Sequence, residues 1–201
     1  MKRLLKNGVI QAIILMISVF ALQLYFGNDS SLFVLNVPLE EHYWTILTSI
    51  YSHGSFSHLT SNIIGLLVFA VPIARLTSNL RFHLFFVLVG VIAGVSQVLT
   101  LYYLDFYGFL DLESIPGVLG SSGAVFGFFG YLLVSNSVTG FFAKYMNPSS
   151  IVRYILYLSI AVFVTLATAS PGVALIAHFT GFLLGLLIGR TGFLKLNSSS
   201  N

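Results

Sequence analysis

Six apolar runs, each close to the ~20 residues a helix needs to cross the hydrocarbon core of a bilayer, take up most of this chain. They lie at about residues 8–26, 58–76, 82–104, 122–142, 151–169 and 172–189. At that depth no water is present to pair with the backbone, and a helix is the form that satisfies every N–H and C=O within one segment. The sequence therefore predicts an all-α membrane protein, a six-transmembrane helical bundle.

The charges follow the same division. Lys2, Arg3, Lys6, Arg75, Arg81, Lys144, Arg153, Arg190 and Lys195 fall in the N-terminal tail, at the second and fourth connections, and at the C-terminal end. Asp29, Glu40, Glu41, Asp105, Asp111 and Glu113 fall in the first and third connections. Cytoplasmic loops collect Lys and Arg, so both termini are expected in the cytoplasm and the acidic loops outside. Adding or removing one span would scramble this segregation. A composition of 57% hydrophobic and 7% charged residues, with a mean hydropathy of +0.95, excludes a soluble domain. No linker or charge run divides the 201 residues, so residues 1–201 are read as one transmembrane domain with a disordered tail at about 196–201. The basic start resembles a signal peptide, but the run after it is long and ends in "LQLYFGND" without a small-residue cleavage site, so a retained first span is expected. The chain has no cysteine, which excludes a disulfide framework, thiol catalysis and cysteine-bound metal. Its net charge of +3 lies in loops. The expected partner is the lipid bilayer, with no nucleic acid, and no cofactor or metal is implied.

Polar residues inside spans are costly, and here they are few. "YSHGSFSHLTSN" brings His53, His58 and Asn62 to the outer end of the second span, with His58 and Asn62 on one helix face. Ser122 opens the fourth span. His178 lies in the sixth, about six residues after Pro171 and so roughly 9 Å deep at 1.5 Å per residue. Gly123 and Gly127 on the fourth span, and Gly181, Gly185 and Gly189 on the sixth, repeat every four residues, a pattern that lets membrane helices pack backbone to backbone. Such packing would bring Ser122 near His178. A serine hydroxyl needs a base, and a neutral imidazole is the commonest one. No Asp or Glu lies in any span to complete a triad, which leaves a Ser/His dyad, with Phe126 one turn after Ser122 available to hold the imidazole by stacking. The start of the fourth helix offers unpaired N–H groups to an oxyanion, and Asn62 and His58 are the natural further donors. Gly120 and Ser121 allow a tight turn before the nucleophile.

In these residues the chain resembles the rhomboid family of intramembrane serine proteases, in its minimal six-span form, over about residues 7–190. The G-x-S-G motif stands as Gly120, Ser121, Ser122 and Gly123, and H-x-x-G-x-x-x-G as His178, Gly181 and Gly185. The H-x-x-x-N element, which lines the oxyanion hole in the family, stands as His58 and Asn62, with His53 at the further upstream histidine. The resemblance implies that Ser122 is the nucleophile and His178 the base. It also implies single-pass, membrane-anchored protein substrates that enter sideways from the lipid and are cut near the outer face. The expected location is the plasma membrane of a prokaryote, as a multi-pass protein. Two departures stand out. The family's Trp-Arg pair in the first loop is Trp44-Thr45, and many members have Tyr where this chain has Phe126.

Plainer readings exist for each residue. Ser122 and the glycines could be small packing residues, His58 a helix-end residue, and His53 structural; His42 and His83 look interfacial. Two other functions fit part of the pattern. One is an inactive rhomboid-like protein that binds membrane clients, which retention of both Ser122 and His178 argues against. The other is a proton or metal transporter using His58, Asn62 and His178, for which no carboxylate or thiol stands by.

The topology is directly testable, because single cysteines can be labelled without background. A cysteine at position 113 is expected to react only from outside, and one at 190 only from the cytoplasm. Labelling of position 113 from the cytoplasm would overturn the span count.

Overall fold

A computed structural model describes residues 7–27, 30–111, 116–135, 150–169 and 172–195. Six longer helices account for most of it: α1 (Gly8–Tyr25), α4 (Phe56–Ala74), α5 (Asn79–Phe106), α6 (Ser122–Ser135), α7 (Ser150–Ala167) and α8 (Leu175–Thr191). Two single-turn helices, α2 (Ser30–Phe33) and α3 (Thr45–Thr48), and a 3₁₀ turn at Ser49–Tyr51 lie between α1 and α4. Among the described residues there is no strand, only an antiparallel bridge between Leu35 and Val118. The expected end of the fourth span at 142 lies outside the described residues. So do Lys2, Arg3, Lys6, Asp29, Glu113, Lys144, Pro171 and the tail from 196.

Three of the helices, Gly8–Tyr25, Phe56–Ala74 and Asn79–Phe106, are long and apolar enough to cross a membrane, and Ser122–Ser135, Tyr154–Ala167 and Leu175–Thr191 are shorter apolar helical stretches. The helix starts have local causes. Asn7 caps α1 by accepting from the Val9 N–H at 2.9 Å. Ser55 caps α4 through the His58 N–H at 3.1 Å, and Ser78 caps α5 through the Arg81 N–H at 3.3 Å. Gly192, with φ +69°, ends α8 in a left-handed turn that Lys195 closes by donating to its carbonyl at 2.8 Å.

The helices alternate in direction. Gly8 of α1 packs on Phe82 near the start of α5. At the same end Arg81 donates to the Lys195 carbonyl at 2.7 Å, the Tyr131 hydroxyl accepts from the Leu194 N–H at 3.1 Å, and Arg190 donates to Tyr154 at 2.7 Å. Arg190 also sits over the Tyr154 ring. The described basic residues Arg75, Arg81, Arg190 and Lys195 thus belong to one end of the bundle, and His53, His58 and Ser122 to the other.

Packing is tightest between α6 and α8. A Cβ on Gly181 would collide with the Gly123 carbonyl, one on Gly185 with the Gly127 carbonyl, and one on Gly130 with the Phe182 carbonyl. On its other side α6 meets α4 and α5, where Phe82, Phe85, Phe86 and Phe128 are buried and Phe82 stacks on Phe128 at 4.8 Å. The α7 helix is peripheral. It rests on α8 through Ala161, Phe182 and Leu186, while Ile151, Ile155, Phe163 and Leu166 face outward. Outward apolar side chains on nearly every helix are what a lipid solvent asks for.

The first connection is held by its own hydrogen bonds. Trp44 Nε1 donates to the Ser31 carbonyl at 3.1 Å and Thr48 to the Leu32 carbonyl at 2.8 Å. Thr45, which stands where the family often has arginine, is buried and donates to the His42 carbonyl at 2.6 Å. His83 lies on α5 and pairs with Gln11 of α1 at 2.8 Å. Below this connection, Gln23 of α1 accepts from the His53 N–H at 2.8 Å, and His53 Nδ1 lies 3.1 Å from the Tyr51 carbonyl. Ser121 completes the group, its hydroxyl 3.4 Å from His53 Nε2 and 3.7 Å from Met16 Sδ. A buried polar network of this kind fixes one arrangement, because each member loses a partner if another moves.

Two outcomes are expected. Gly185→Val should lower stability by at least ~1–3 kcal/mol through overpacking against Gly127. An unchanged unfolding midpoint in detergent would contradict the helix spacing. His53, in the connection before α4, is fully buried, and that burial, reinforced by the neighbouring His58, lowers its pKa to about 3. The unfolded chain, with an ordinary imidazole near 6.5, takes up a proton that the native state refuses. Stability should therefore fall as pH drops from about 6.5 toward 3, and His53→Asn should flatten part of that slope. Identical slopes in the two proteins would remove His53 as a cause.

Candidate active site

Ser122 is the first residue of α6, and the turn that delivers it depends on Gly120. Gly120 has φ +118°, a conformation that side-chain-bearing residues rarely adopt, and donates its N–H to the Ser49 carbonyl at 2.8 Å. A Cβ there would lie 2.7 Å from the His58 ring. The imidazole of His58 is therefore seated directly on the turn that precedes Ser122. The rings of His58 and His53 meet edge to face at 5.1 Å, which joins the buried network behind Ser121 to this surface.

Asn62 is one turn further along α4, buried, and donates one amide N–H to the His58 carbonyl at 3.0 Å. A side-chain amide has two N–H groups, so a second remains for another acceptor.

His178 is delivered by α8 and is only 7% exposed. The glycine crossing sets its relation to α6. A Cβ on Gly123 would lie 3.6 Å from the Ala177 carbonyl, so Ser122 and His178 are the chain neighbours of two residues in contact. Phe126 stacks on His178 with ring centres 4.3 Å apart and planes at 23°. The structure thus brings Gly120, Ser122, Gly123, Phe126, His58, Asn62 and His178 to one end of the α4–α6–α8 cluster. Gly127, Gly181 and Gly185 continue the same helix crossing away from it. Among the described residues, no group of three or more His, Asp or Glu could hold a metal ion.

Several neighbours of the site are not evident from motif spacing. Gln97 of α5 accepts from the Ala177 N–H at 3.1 Å, pinning the residue before His178. Its signal was available, since a glutamine inside an apolar run is costly unless paired. Ser96 and Thr180 make a second α5–α8 link at 3.1 Å. Thr168, just past the end of α7, has its hydroxyl 3.2 Å from His178 Nδ1. No spacing rule connects a threonine after one helix with a histidine ten residues later on the next.

Comparison with known proteins points to one family. RHOMBOID-like protein 5 of Arabidopsis thaliana is 27% identical over 146 residues, covering 73% of this chain and 43% of that protein. A Bacillus subtilis (strain 168) protein named "Putative rhomboid protease YdcA" is 30% identical over 92 residues, covering 45% of this chain and 40% of its own length. The chain thus matches about two-fifths of the length of each relative. Residues 40–195 match the Rhomboid domain family, a stretch that includes every residue of the cluster just described. This integral membrane protein belongs to the rhomboid family.

Proposed function

We propose that this protein is an intramembrane serine endopeptidase in which Ser122 and His178 form a catalytic dyad, carried by a single six-span domain with both termini in the cytoplasm. The observation that carries the reading is the crossing of α6 and α8, where Ser122 and His178 flank the contact between Gly123 and Ala177 while Phe126 stacks on the imidazole. Membership of the rhomboid family supports the same chemistry.

In this reading His178 accepts the Ser122 hydroxyl proton on Nε2 as the serine oxygen attacks the scissile carbonyl carbon. The carbonyl electron pair moves onto its oxygen, and the N–H groups at the start of α6, the second amide N–H of Asn62 and a ring N–H of His58 stabilise that charge. When the intermediate collapses the C–N bond breaks, and His178 returns the proton to the departing amine. A water molecule then attacks the acyl-serine with His178 again as base, releasing a carboxylic acid and restoring Ser122. Gly123, Gly127, Gly181 and Gly185 support the site by letting the two helix backbones approach where a methyl group would not fit, and Gly120 by leaving room for the His58 ring. The substrates are single-pass membrane proteins that reach the site from the lipid and are cut near the outer face.

The test is cleavage of a panel of labelled single-span proteins by the purified protein in liposomes. Ser122→Ala and His178→Ala are each expected to abolish cleavage without unfolding the chain. The double variant should be no slower than either single one, because members of one catalytic unit fail together. Chelators should leave the wild-type rate unchanged. Residual activity of Ser122→Ala above a few per cent of wild type would end the assignment.

A further inference from the structure

We propose that Thr168 is a positioning residue that fixes the tautomer of His178, doing with a hydroxyl and a helix end what a carboxylate does in a triad. The proposal rests on His178 being the base.

Thr168 Oγ1 lies 3.2 Å from His178 Nδ1, and the same oxygen lies 3.1 Å from the Val164 carbonyl and 3.0 Å from the Thr165 carbonyl. A carbonyl oxygen can only accept, and a hydroxyl has one proton. That proton belongs to the carbonyls of the last turn of α7, so the hydroxyl presents a lone pair to the imidazole. Nδ1 must then carry the ring proton. The lone pair of the neutral ring is left on Nε2, the nitrogen a base would use toward Ser122.

Phe126 cannot make this choice. A stacked phenyl ring fixes the plane of the imidazole but offers no hydrogen-bond donor or acceptor in that plane, so it is indifferent to which nitrogen carries the proton. A hydrogen-bond partner at one nitrogen is what distinguishes them. Among the described residues the hydrogen-bond partner of the His178 ring is Thr168.

The helix end adds a second contribution. The C-terminal turn of α7 carries the negative end of its dipole, and the Thr168 hydroxyl, polarised by donating its one proton within that turn, passes this polarity to Nδ1. When His178 takes a proton, the resulting imidazolium faces partial negative charge.

The chain is tested as Thr168→Val, which keeps the shape and removes the hydroxyl, and as Thr168→Ser, which restores it. With histidine labelled by ¹⁵N and the His178 signals assigned against His178→Asn, wild-type protein in detergent, at a pH where the ring is neutral, should give a protonated Nδ1 and an unprotonated Nε2. Thr168→Ser should match it, and Thr168→Val should give a mixture of the two tautomers. In cleavage assays Thr168→Val should lower kcat by about 3- to 10-fold with KM unchanged, the effect of losing one neutral hydrogen bond, and Thr168→Ser should recover the rate. A wild-type ring protonated on Nε2, or an unchanged tautomer in Thr168→Val, would overturn the proposal. Persistence of cleavage in Ser122→Ala would instead refute the dyad while leaving the tautomer result standing.

Discussion

The contact on which the rest of the molecule depends is the meeting of two bare backbones. Between α6 and α8 the carbonyls of Gly123 and Gly127 lie where Cβ atoms of Gly181 and Gly185 would be, and the carbonyl of Phe182 lies where one of Gly130 would be. Lipid tails are as apolar as leucine, so burying hydrophobic side chains against each other gains little here, and close van der Waals contact has to supply the attraction. The same crossing sets the placement of the proposed dyad. Because Gly123 touches Ala177, the residues next to them, Ser122 and His178, are set by the main chain and not by the reach of flexible side chains.

Around that crossing the polar groups are arranged in two layers. The nearer one contains His58 on the Gly120 turn, Asn62 behind it, and Phe126 against His178. The deeper one links Gln23, His53, Ser121 and Met16, and so joins α1 to the segment that precedes Ser122. Neither contains a carboxylate. Neutral hydroxyls, amides and imidazoles can be buried in a membrane protein at modest cost once hydrogen-bonded, whereas an ionised group cannot.

Much of the helical framework was legible because a bilayer imposes a length. The first run, expected at 8–26, is the helix Gly8–Tyr25, and the fifth, expected at 151–169, is Ser150–Ala167. The third, expected at 82–104, is longer at both ends as Asn79–Phe106. Ser78 caps it on one side, and Asp105 and Phe106 extend it on the other, where the charge of Asp105 ends the apolar run. The single-turn helices between residues 30 and 51 and the bridge from Leu35 to Val118 left no periodic trace, since elements of four residues or fewer have no period to detect. At the site, the glycine spacing was readable because it is a repeat along one helix. Thr168 was not, because its role depends on where the end of α7 falls relative to α8, and no local pattern encodes that.

The backbone contact between α6 and α8 has one more consequence, which concerns entropy. A side chain buried at a helix interface gives up rotamer freedom on folding, up to ~2 kcal/mol for the longest ones, but a glycine has none to give up. At Gly123, Gly127, Gly130, Gly181 and Gly185 the two helices therefore come together without freezing a single side-chain torsion. The cost of ordering falls on the backbone alone, and a membrane helix has already met that cost when it formed in the bilayer, before it packed. These positions thus contribute close contact to the final assembly with little loss of disorder.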